Sequence, residues 1–189
     1  MASLTPPRVL LHLGCGPKDK SFLPAPLNGP DWREIRVDLD PAHRPDVVAS
    51  ITHVPVLADG CADAIWCAHC LEHLYAHETP AVLAESRRLL KPGGRLMLVV
   101  PDAAVAAALV AEDRAEEIIY QSPAGPVTAI DMLYGFGPAL AGGRLAMAHR
   151  TCFTSARLHR QLVEAGFAAV EVARRRSAYE LFAQAQKPQ

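Results

Sequence analysis

Short apolar runs that end at glycine or at an acidic residue constrain the fold of this chain more than any other feature. Residues 8–13 (RVLLHL) lead into Gly14-Cys15-Gly16, and residues 34–38 (EIRVD) end on Asp38. Runs of this length, bounded by turn residues, are typical of buried strands. The same pattern predicts further strands at residues 46–49, 63–67, 95–100, 168–173 and 179–183.

Helical segments are expected between these strands. Residues 79–90 predict a helix with Thr79 as its N-cap and Pro80 in the first helical position, and the turn at residues 91–94 (KPGG) ends it. Two more helices are predicted at residues 102–113 and 155–165. Buried strands that alternate with helices indicate an α/β fold with a parallel sheet covered on both faces.

Two segments depart from this alternation. Between the first and second strands, four prolines (Pro17, Pro24, Pro26 and Pro30) oppose a helix and favour an irregular loop. Residues 114–150 contain several groups of glycine and proline, which indicates an insertion over the sheet. We therefore expect residues 1–189 to form a single domain in which residues 114–150 are a lid or insertion.

Composition limits the partners of the chain. It has 189 residues, of which 50% are hydrophobic, enough for one domain with a real core. Its 19 basic and 20 acidic residues give a formal net charge of -1, so no overall field attracts nucleic acid or an anionic membrane. The basic run at residues 174–176 favours a solvated strand end. We expect a small-molecule partner.

The cellular location follows from the terminus and the cysteines. Residues 1–5 lack the features of a secretory signal, and no apolar run approaches the roughly 18 residues typical of a membrane span. Five cysteines, an odd number, favour reduced thiols over a disulfide framework. We expect a cytoplasmic protein, and a homodimer is an open interpretation of its oligomeric state.

The glycine turn after the first strand favours a nucleoside ligand. A strand that runs into glycines exposes backbone at the carboxyl edge of a sheet, and Asp38 at the end of the next strand can accept hydrogen bonds from ribose hydroxyls. A dinucleotide fingerprint is incomplete, because Asp19 stands where a third glycine belongs and prolines replace the helix. A purely structural turn remains the alternative interpretation.

The segment at residues 67–77 (CAHCLEHLYAH) raises the question of a metal. It contains Cys67, His69, Cys70, Glu72, His73 and His77. The three histidines recur every four residues, as on one helical face, and residues 69–73 have the inverzincin pattern. The cysteines would straddle a strand end, where their side chains need not converge, and an inverzincin would also need a distal third ligand and a larger chain. We predict no metal and keep a zinc metallopeptidase, using His69, Glu72 and His73, as a remote alternative.

Five ordered segments together resemble a known family. They are residues 9–17 (VLLHLGCGP), 37–41 (VDLDP), 54–65 (VPVLADGCADAI), 69–74 (HCLEHL) and 85–96 (ESRRLLKPGGRL). They are similar to the successive motifs of class I S-adenosylmethionine-dependent methyltransferases, and the chain resembles small, type 11-like members with a shortened first helix. The resemblance implies a methyltransferase with a Rossmann-like three-layer sandwich. Its sheet would be mostly parallel and seven-stranded, with an antiparallel C-terminal strand.

The resemblance also implies S-adenosylmethionine as the cofactor. The implied binding residues are Gly14, Cys15, Gly16, Asp38, Leu39, Ser50, Ile51, Ala68 and His69. The glycine turn would run alongside the methionine end of the cofactor, and Asp38 would hold its ribose hydroxyls. Ser50 and Ile51 would flank the adenine, although many members carry an acid at the position of Ser50. Ala68 and His69 would line the methyl side.

The acceptor site is harder to assign from sequence, because methyl transfer depends chiefly on alignment and exclusion of water and has few compulsory residues. Candidate acceptor contacts are His69, Asp102, Tyr134 and His149. Asp102 could instead be the N-cap of the next helix, and His149 a hinge contact of the lid. We predict methyl transfer to a small-molecule acceptor, with a non-catalytic binding module of the same fold as the alternative.

Overall fold

A computed structural model describes residues 6–175 and 179–189 of the chain. In chain order its strands are β1 (Arg8–Leu13), β2 (Trp32–Asp38), β3 (Val47–Val48), β4 (Ala62–Ala68), β5 (Leu90–Pro101), β6 (Ile118–Ser122), β7 (Gly125–Thr128), β8 (Ala168–Arg175) and β9 (Glu180–Gln186). The α-helices are α1 (Thr79–Leu89), α2 (Ala103–Ala111), α3 (Ala129–Tyr134), α4 (Gly137–Ala141) and α5 (Ser155–Glu164). The interpretations of residues 1–5 and of Arg176 fall outside the described residues.

Seven of the strands form one sheet in the order β3-β2-β1-β4-β5-β9-β8. The first five strands in this order run parallel to one another, whereas β9 pairs antiparallel with both β5 and β8. The reversed strand is therefore β9, which lies one place inside the edge formed by β8. The predicted α/β sheet, mostly parallel and seven-stranded with a reversed C-terminal strand, is confirmed.

The main hydrophobic core lies between one face of the sheet and helices α1 and α5. Leu11 of β1 and Ile65 of β4 are fully buried there, together with Val82 of α1 and Leu158 of α5. Trp66, the next residue along β4, belongs to a separate cluster on the opposite face. The central strands are thus buried on both faces, which explains why they read as nearly continuous apolar runs.

The proline-rich segment between β1 and β2 is an irregular loop, as predicted. The described residues there contain a single 3-10 turn, Lys20–Phe22, and no α-helix. Leu23 and Leu27 from this loop pack with Trp32 and Trp66 against the second face of the sheet. Over β1 and β4, a loop therefore takes the place of a covering helix.

The start of α1 differs from the prediction by one residue. Glu78 occupies the N-cap position, and Thr79 is already helical. The Glu78 carboxylate accepts from the Tyr75 backbone N–H at 2.7 Å, and the Glu78 N–H donates to the Tyr75 carbonyl at 2.9 Å. This closed turn directs the chain into the helix one residue early, while Thr79 is fully buried.

Residues 114–150 form a small substructure beside α2. The hairpin β6-β7 leads into α3, whose start has a capping box in which Thr128 and Asp131 each accept from the other's backbone N–H. Ala106 of α2 packs there with Val127 and Met132. The insertion is thus anchored by its own apolar cluster, and its closure as a lid stays a prediction.

Candidate cofactor site and adjacent histidine cluster

The glycine turn lies at the carboxyl end of β1, between β2 and β4. The N–H groups of Gly14 and Cys15 donate to the Val37 carbonyl at 2.8 and 3.2 Å. Gly14 has φ +64°, and a Cβ placed on it would overlap Cys70 Sγ and lie 2.8 Å from Cys70 Cβ. Only glycine fits this position, because both its backbone conformation and the close approach of Cys70 exclude a side chain.

Asp38 closes the other side of this turn. Its Oδ2 accepts from the Gly16 N–H at 2.7 Å, and its Oδ1 accepts from the Asp40 N–H at 2.9 Å and lies 3.2 Å from His43 Nδ1. Burial raises the pKa of Asp38, but the two backbone hydrogen bonds and His43 outweigh it, so the pKa lies below its ordinary value. Asp38 is therefore an ionised acceptor fixed at the edge of the sheet.

The residues predicted to hold the adenine and the ribose differ in their exposure. Leu39 is 71% exposed, so its side chain is free to cover an apolar ligand surface. Ser50 is half-buried, and its hydroxyl lies 2.8 Å from that of Thr52. Ile51 is 6% exposed and packs in the main core, and its contact with the adenine stays a prediction.

The methyl-side residues follow β4. Ala68 ends that strand, and His69 has φ +52° with its N–H donating to the Val99 carbonyl at 2.9 Å. The His69 ring lies between two carboxylates, with Nε2 2.8 Å from Glu180 and Nδ1 3.4 Å from Glu72. Burial lowers the pKa of His69, but the bonds to Glu180 and Glu72 outweigh it and raise the pKa to about 9. His69 is therefore part of a charged network in the region between the carboxyl ends of β1 and β4 and the insertion, which we call the cleft.

The two cysteines of the C-x-x-C step lie close together, although their position at a strand end did not require their side chains to converge. The thiols of Cys67 and Cys70 are in hydrogen-bond contact, and this contact, followed by burial, raises the pKa of Cys67. The positive φ of His69 turns the chain back on itself and brings Cys70 under the end of β4. Both residues are free thiols and pack against the main core.

The histidines of residues 67–77 do not share a helical face. Helical structure there is limited to the 3-10 turn Leu71–His73, and His69 has a left-handed backbone conformation. His77 is exposed and stacks on Tyr75 with ring centroids 5.7 Å apart. Both nitrogens of His69 face carboxylates, so the predicted set of His69, Glu72 and His73 is not assembled.

A different group of three comes together instead. Glu72, His73 and His149 each place one potential metal-ligating atom within 4.8 Å of those of the other two. The rings of His73 and His149 have centroids 5.0 Å apart. The Arg150 N–H donates to the Glu72 carbonyl at 2.8 Å and fixes the end of the insertion against the turn after β4. The sequence analysis did not group Glu72 and His73 with His149, because nothing in the sequence placed His149 beside them.

The remaining acceptor candidates separate into one structural and one exposed residue. Asp102 is fully buried, its carboxylate caps α2 by accepting from the Ala104 N–H at 3.1 Å, and it pairs with Arg174. The N-cap interpretation is confirmed, and burial removes Asp102 from the acceptor candidates. Tyr134 is 63% exposed, and its carbonyl accepts from the His149 N–H at 3.0 Å.

Glu180, which sequence reasoning missed, completes the cleft. It begins β9 opposite Pro101 and reaches His69 across the sheet. A cavity of about 430 Å³ lies next to it, lined by Val105, Leu109, Ile119 and Tyr179, among others. Its described walls come from α2, residues 112–119, Arg174 and Tyr179, so it is separate from the predicted cofactor residues.

Comparison with known proteins agrees with this geometry. The family model described as a methyltransferase domain matches residues 11–98, from β1 to the middle of β5. A search of curated proteins found no significant sequence match. The matched range ends before α2, so the insertion and His149 lie outside it.

Solved structures share the fold at low sequence identity. A S-adenosylmethionine-dependent methyltransferase from Methanosarcina mazei has a TM-score of 0.59 and 16% identity over 98% of this chain and 94% of its own. A 1,6-didemethyltoxoflavin N1-methyltransferase from Burkholderia thailandensis, with S-adenosylhomocysteine bound, has a TM-score of 0.56 and 19% identity over 97% of this chain and 72% of its own. A protein from Bordetella parapertussis called a possible exported protein has a TM-score of 0.60 and 17% identity, and this chain covers 63% of it.

The sheet order, the glycine turn facing an acid at the end of β2, and the matching family model together define a Rossmann-like methyltransferase fold. Residues 11–98 match the methyltransferase-domain family model, and the chain shares the fold of S-adenosylmethionine-dependent methyltransferases of known structure. Across residues 6–175 and 179–189, helices long and apolar enough to cross a membrane are absent.

Proposed function

We propose that the chain transfers the methyl group of S-adenosylmethionine to a small-molecule acceptor bound between the glycine turn and the insertion. The cofactor residues in this proposal are Gly14, Cys15, Gly16, Asp38, Leu39, Ser50, Ala68 and His69. When bound, S-adenosylmethionine supplies an electrophilic methyl group on a sulfonium ion. The chain supplies alignment and exclusion of water, which such a displacement chiefly requires.

One observation carries the proposal: Asp38 and the glycine turn are locked to each other by the 2.7 Å bond from the Gly16 N–H to Asp38 Oδ2. Each carboxylate oxygen has more than one lone pair, so Asp38 can accept from a ligand hydroxyl while keeping its backbone donors. The donors are already in place, so little reorganisation accompanies binding. This arrangement suits a ribose with two adjacent hydroxyl groups.

Cys15 contributes shape rather than reactivity. It is buried in the glycine turn, and this burial raises the pKa of its thiol to about 11. A thiol with that pKa is neutral at physiological pH and is a poor nucleophile. We infer that Cys15 itself is not alkylated by a bound sulfonium and that the methyl group is kept for the acceptor.

The acceptor side is formed by His69, Tyr134 and His149. Tyr134 is exposed at the end of α3, and its carbonyl holds the backbone of His149. The insertion thereby brings an aromatic ring and an imidazole toward the turn after β4. We propose that residues 114–150 cover a small acceptor at this place, and that neither nucleic acid nor a membrane is the substrate.

A cytoplasmic location is supported by the five free cysteines. Cell fractionation with an antibody to the chain tests it, and recovery in the exported fraction would contradict it.

Calorimetric titration with S-adenosylhomocysteine tests the cofactor site. We expect saturable binding by the wild type, and a loss of about 1.5–3 kcal/mol, or roughly 10- to 150-fold in affinity, in Asp38→Ala. Asp40→Asn is the matched control, because Asp40 lies two residues away, is exposed, and as asparagine still caps the turn at Pro41–His43. Its affinity should stay near the wild-type value.

Any of three results would contradict the proposal. Absence of binding by the folded wild type would move the assignment to a non-catalytic module of the same fold. Equal affinities of Asp38→Ala and wild type would show that the ribose lies elsewhere. Binding without product formation from any acceptor in a screen of small hydroxyl, amine and thiol compounds would also favour the module.

A further inference from the structure

We propose that Glu72, His73 and His149 bind one divalent first-row transition-metal ion at the side of the cleft formed by the insertion. The three residues come from two distant segments and place one candidate ligand atom each within 4.8 Å of the others. Two imidazoles and one carboxylate are a common set for such ions. This site is independent of the cofactor and of the proposed methyl transfer.

The tautomers of both histidines suit a metal. His73 Nδ1 lies 3.2 Å from the Ala148 carbonyl, and His149 Nδ1 lies 2.8 Å from the Met132 carbonyl. A carbonyl oxygen only accepts, so each Nδ1 carries the proton and each Nε2 of a neutral ring has a free lone pair. Metal-ligating histidines usually donate their other N–H in this way, which fixes the ring.

Glu72 supplies the observation that points most directly to a cation. Its side chain is 2% exposed, and its Oε2 is buried without a hydrogen-bond partner in the described structure. A buried carboxylate oxygen left without a partner is costly, and a bound cation would satisfy it. The other oxygen, Oε1, lies 3.4 Å from His69 Nδ1, which orients the carboxylate.

The site is close to its bound geometry and is held rigidly. Bonds of about 2.1 Å in a tetrahedral arrangement place neighbouring ligand atoms about 3.4 Å apart, and the three candidate atoms here lie within 4.8 Å of one another. The backbones are fixed, because the N–H groups of Arg150 and Thr151 both donate to the Glu72 carbonyl at 2.8 and 3.3 Å. His73 and His149 are half-buried, so the site is open on one side.

An open side leaves positions for an exogenous oxygen ligand. Gly14 packs against Cys70, which directly precedes the turn that carries Glu72 and His73. The metal would therefore lie beside the glycine turn. This last step rests on the proposed methyl transfer: an oxygen of the acceptor would then occupy an open position of the metal.

Titration of untagged, chelator-treated protein with Co²⁺ tests the site without cofactor or acceptor. We expect one Co²⁺ per chain, with visible ligand-field absorption, and competition by Zn²⁺. His149→Ala and Glu72→Gln should each weaken binding by at least about tenfold, because even groups that only orient a ligand change affinity by roughly 10–100-fold. His159→Ala, an exposed histidine on α5, is the matched control and should bind as the wild type.

Thermal unfolding shows whether each variant is folded. His149 is only half-buried, so we expect His149→Ala to fold and to test the site even if Glu72→Gln does not fold. Equal Co²⁺ affinity of folded His149→Ala and wild type would overturn the site, as would absence of binding by the wild type. Azide added to the Co²⁺ form should shift its spectrum. An unchanged spectrum would overturn the open position and leave no place for an acceptor oxygen.

Discussion

The two sides of the cleft are built in different ways. The cofactor side, defined as Gly14–Gly16 with Asp38, comes from two adjacent strands, and both oxygens of its carboxylate already have donors. The insertion side, defined as His69, Glu72, His73 and His149, joins residues from distant parts of the chain. Its buried carboxylate keeps one oxygen without a donor in the described structure. The first arrangement suits the neutral hydroxyl groups of a ribose, and the second suits a cation.

The largest effect should come from the glycine turn. Gly14→Ala combines a left-handed backbone with an overlap on Cys70, so we expect a loss of about 2–5 kcal/mol in the free energy of unfolding. Gly16→Ala has a similar φ of +56° but no atom within 4 Å of the added Cβ, and it should lose only about 1–2 kcal/mol. Urea unfolding monitored by circular dichroism compares them. Equal losses would show that Cys70 does not restrict the turn.

A smaller loss is expected where the insertion side is anchored. Asp102→Ala removes the cap of α2 and the partner of Arg174, and should lower the free energy of unfolding by about 1–3 kcal/mol. Asp102→Asn keeps an acceptor for the cap and should recover part of this loss. The same unfolding measurement applies. If stability were unchanged while acceptor turnover disappeared, Asp102 would return to the catalytic candidates.

The smallest effect is expected when a residue of one side is changed and the ligand of the other side is titrated. In chelator-treated protein, His149→Ala should change the affinity for S-adenosylhomocysteine by no more than about 0.5 kcal/mol, roughly twofold, since it contributes to the other side. Asp38→Ala should in turn keep the Co²⁺ affinity of the wild type. Calorimetry measures the affinity of each of the two variants for S-adenosylhomocysteine and for Co²⁺. A loss of both ligands in one folded variant would mean that the two sides form one site.

Several features were predictable because they depend on neighbours in sequence. The strand at residues 8–13, the irregular loop that follows it and the acid at the end of β2 were all confirmed. Each depends on local chemistry, namely apolar runs, proline geometry and turn residues. The start of α1 shifted by one residue, because the contact between Glu78 and Tyr75 depends on a side-chain conformation that the sequence does not specify.

The departures from the predicted site have two causes. The positive φ of His69 breaks the helical spacing on which the pattern of residues 67–77 was judged, and it brings Cys67 and Cys70 together. Ile51 was placed beside the adenine, although the core takes its side chain. A single backbone angle or a competing hydrophobic contact decides each case, and neither is visible in residue spacing.

The α/β class, the parallel sheet and the glycine turn beside Asp38 follow from the sequence, because strand periodicity and turn chemistry act over a few residues. The insertion side follows from the packing of distant segments. His149 reaches Glu72 and His73 through backbone bonds at Arg150 and Thr151, and Glu180 reaches His69 across the sheet. Such contacts depend on how the insertion and the last strands pack, and packing over more than 70 residues leaves no local pattern in a single sequence.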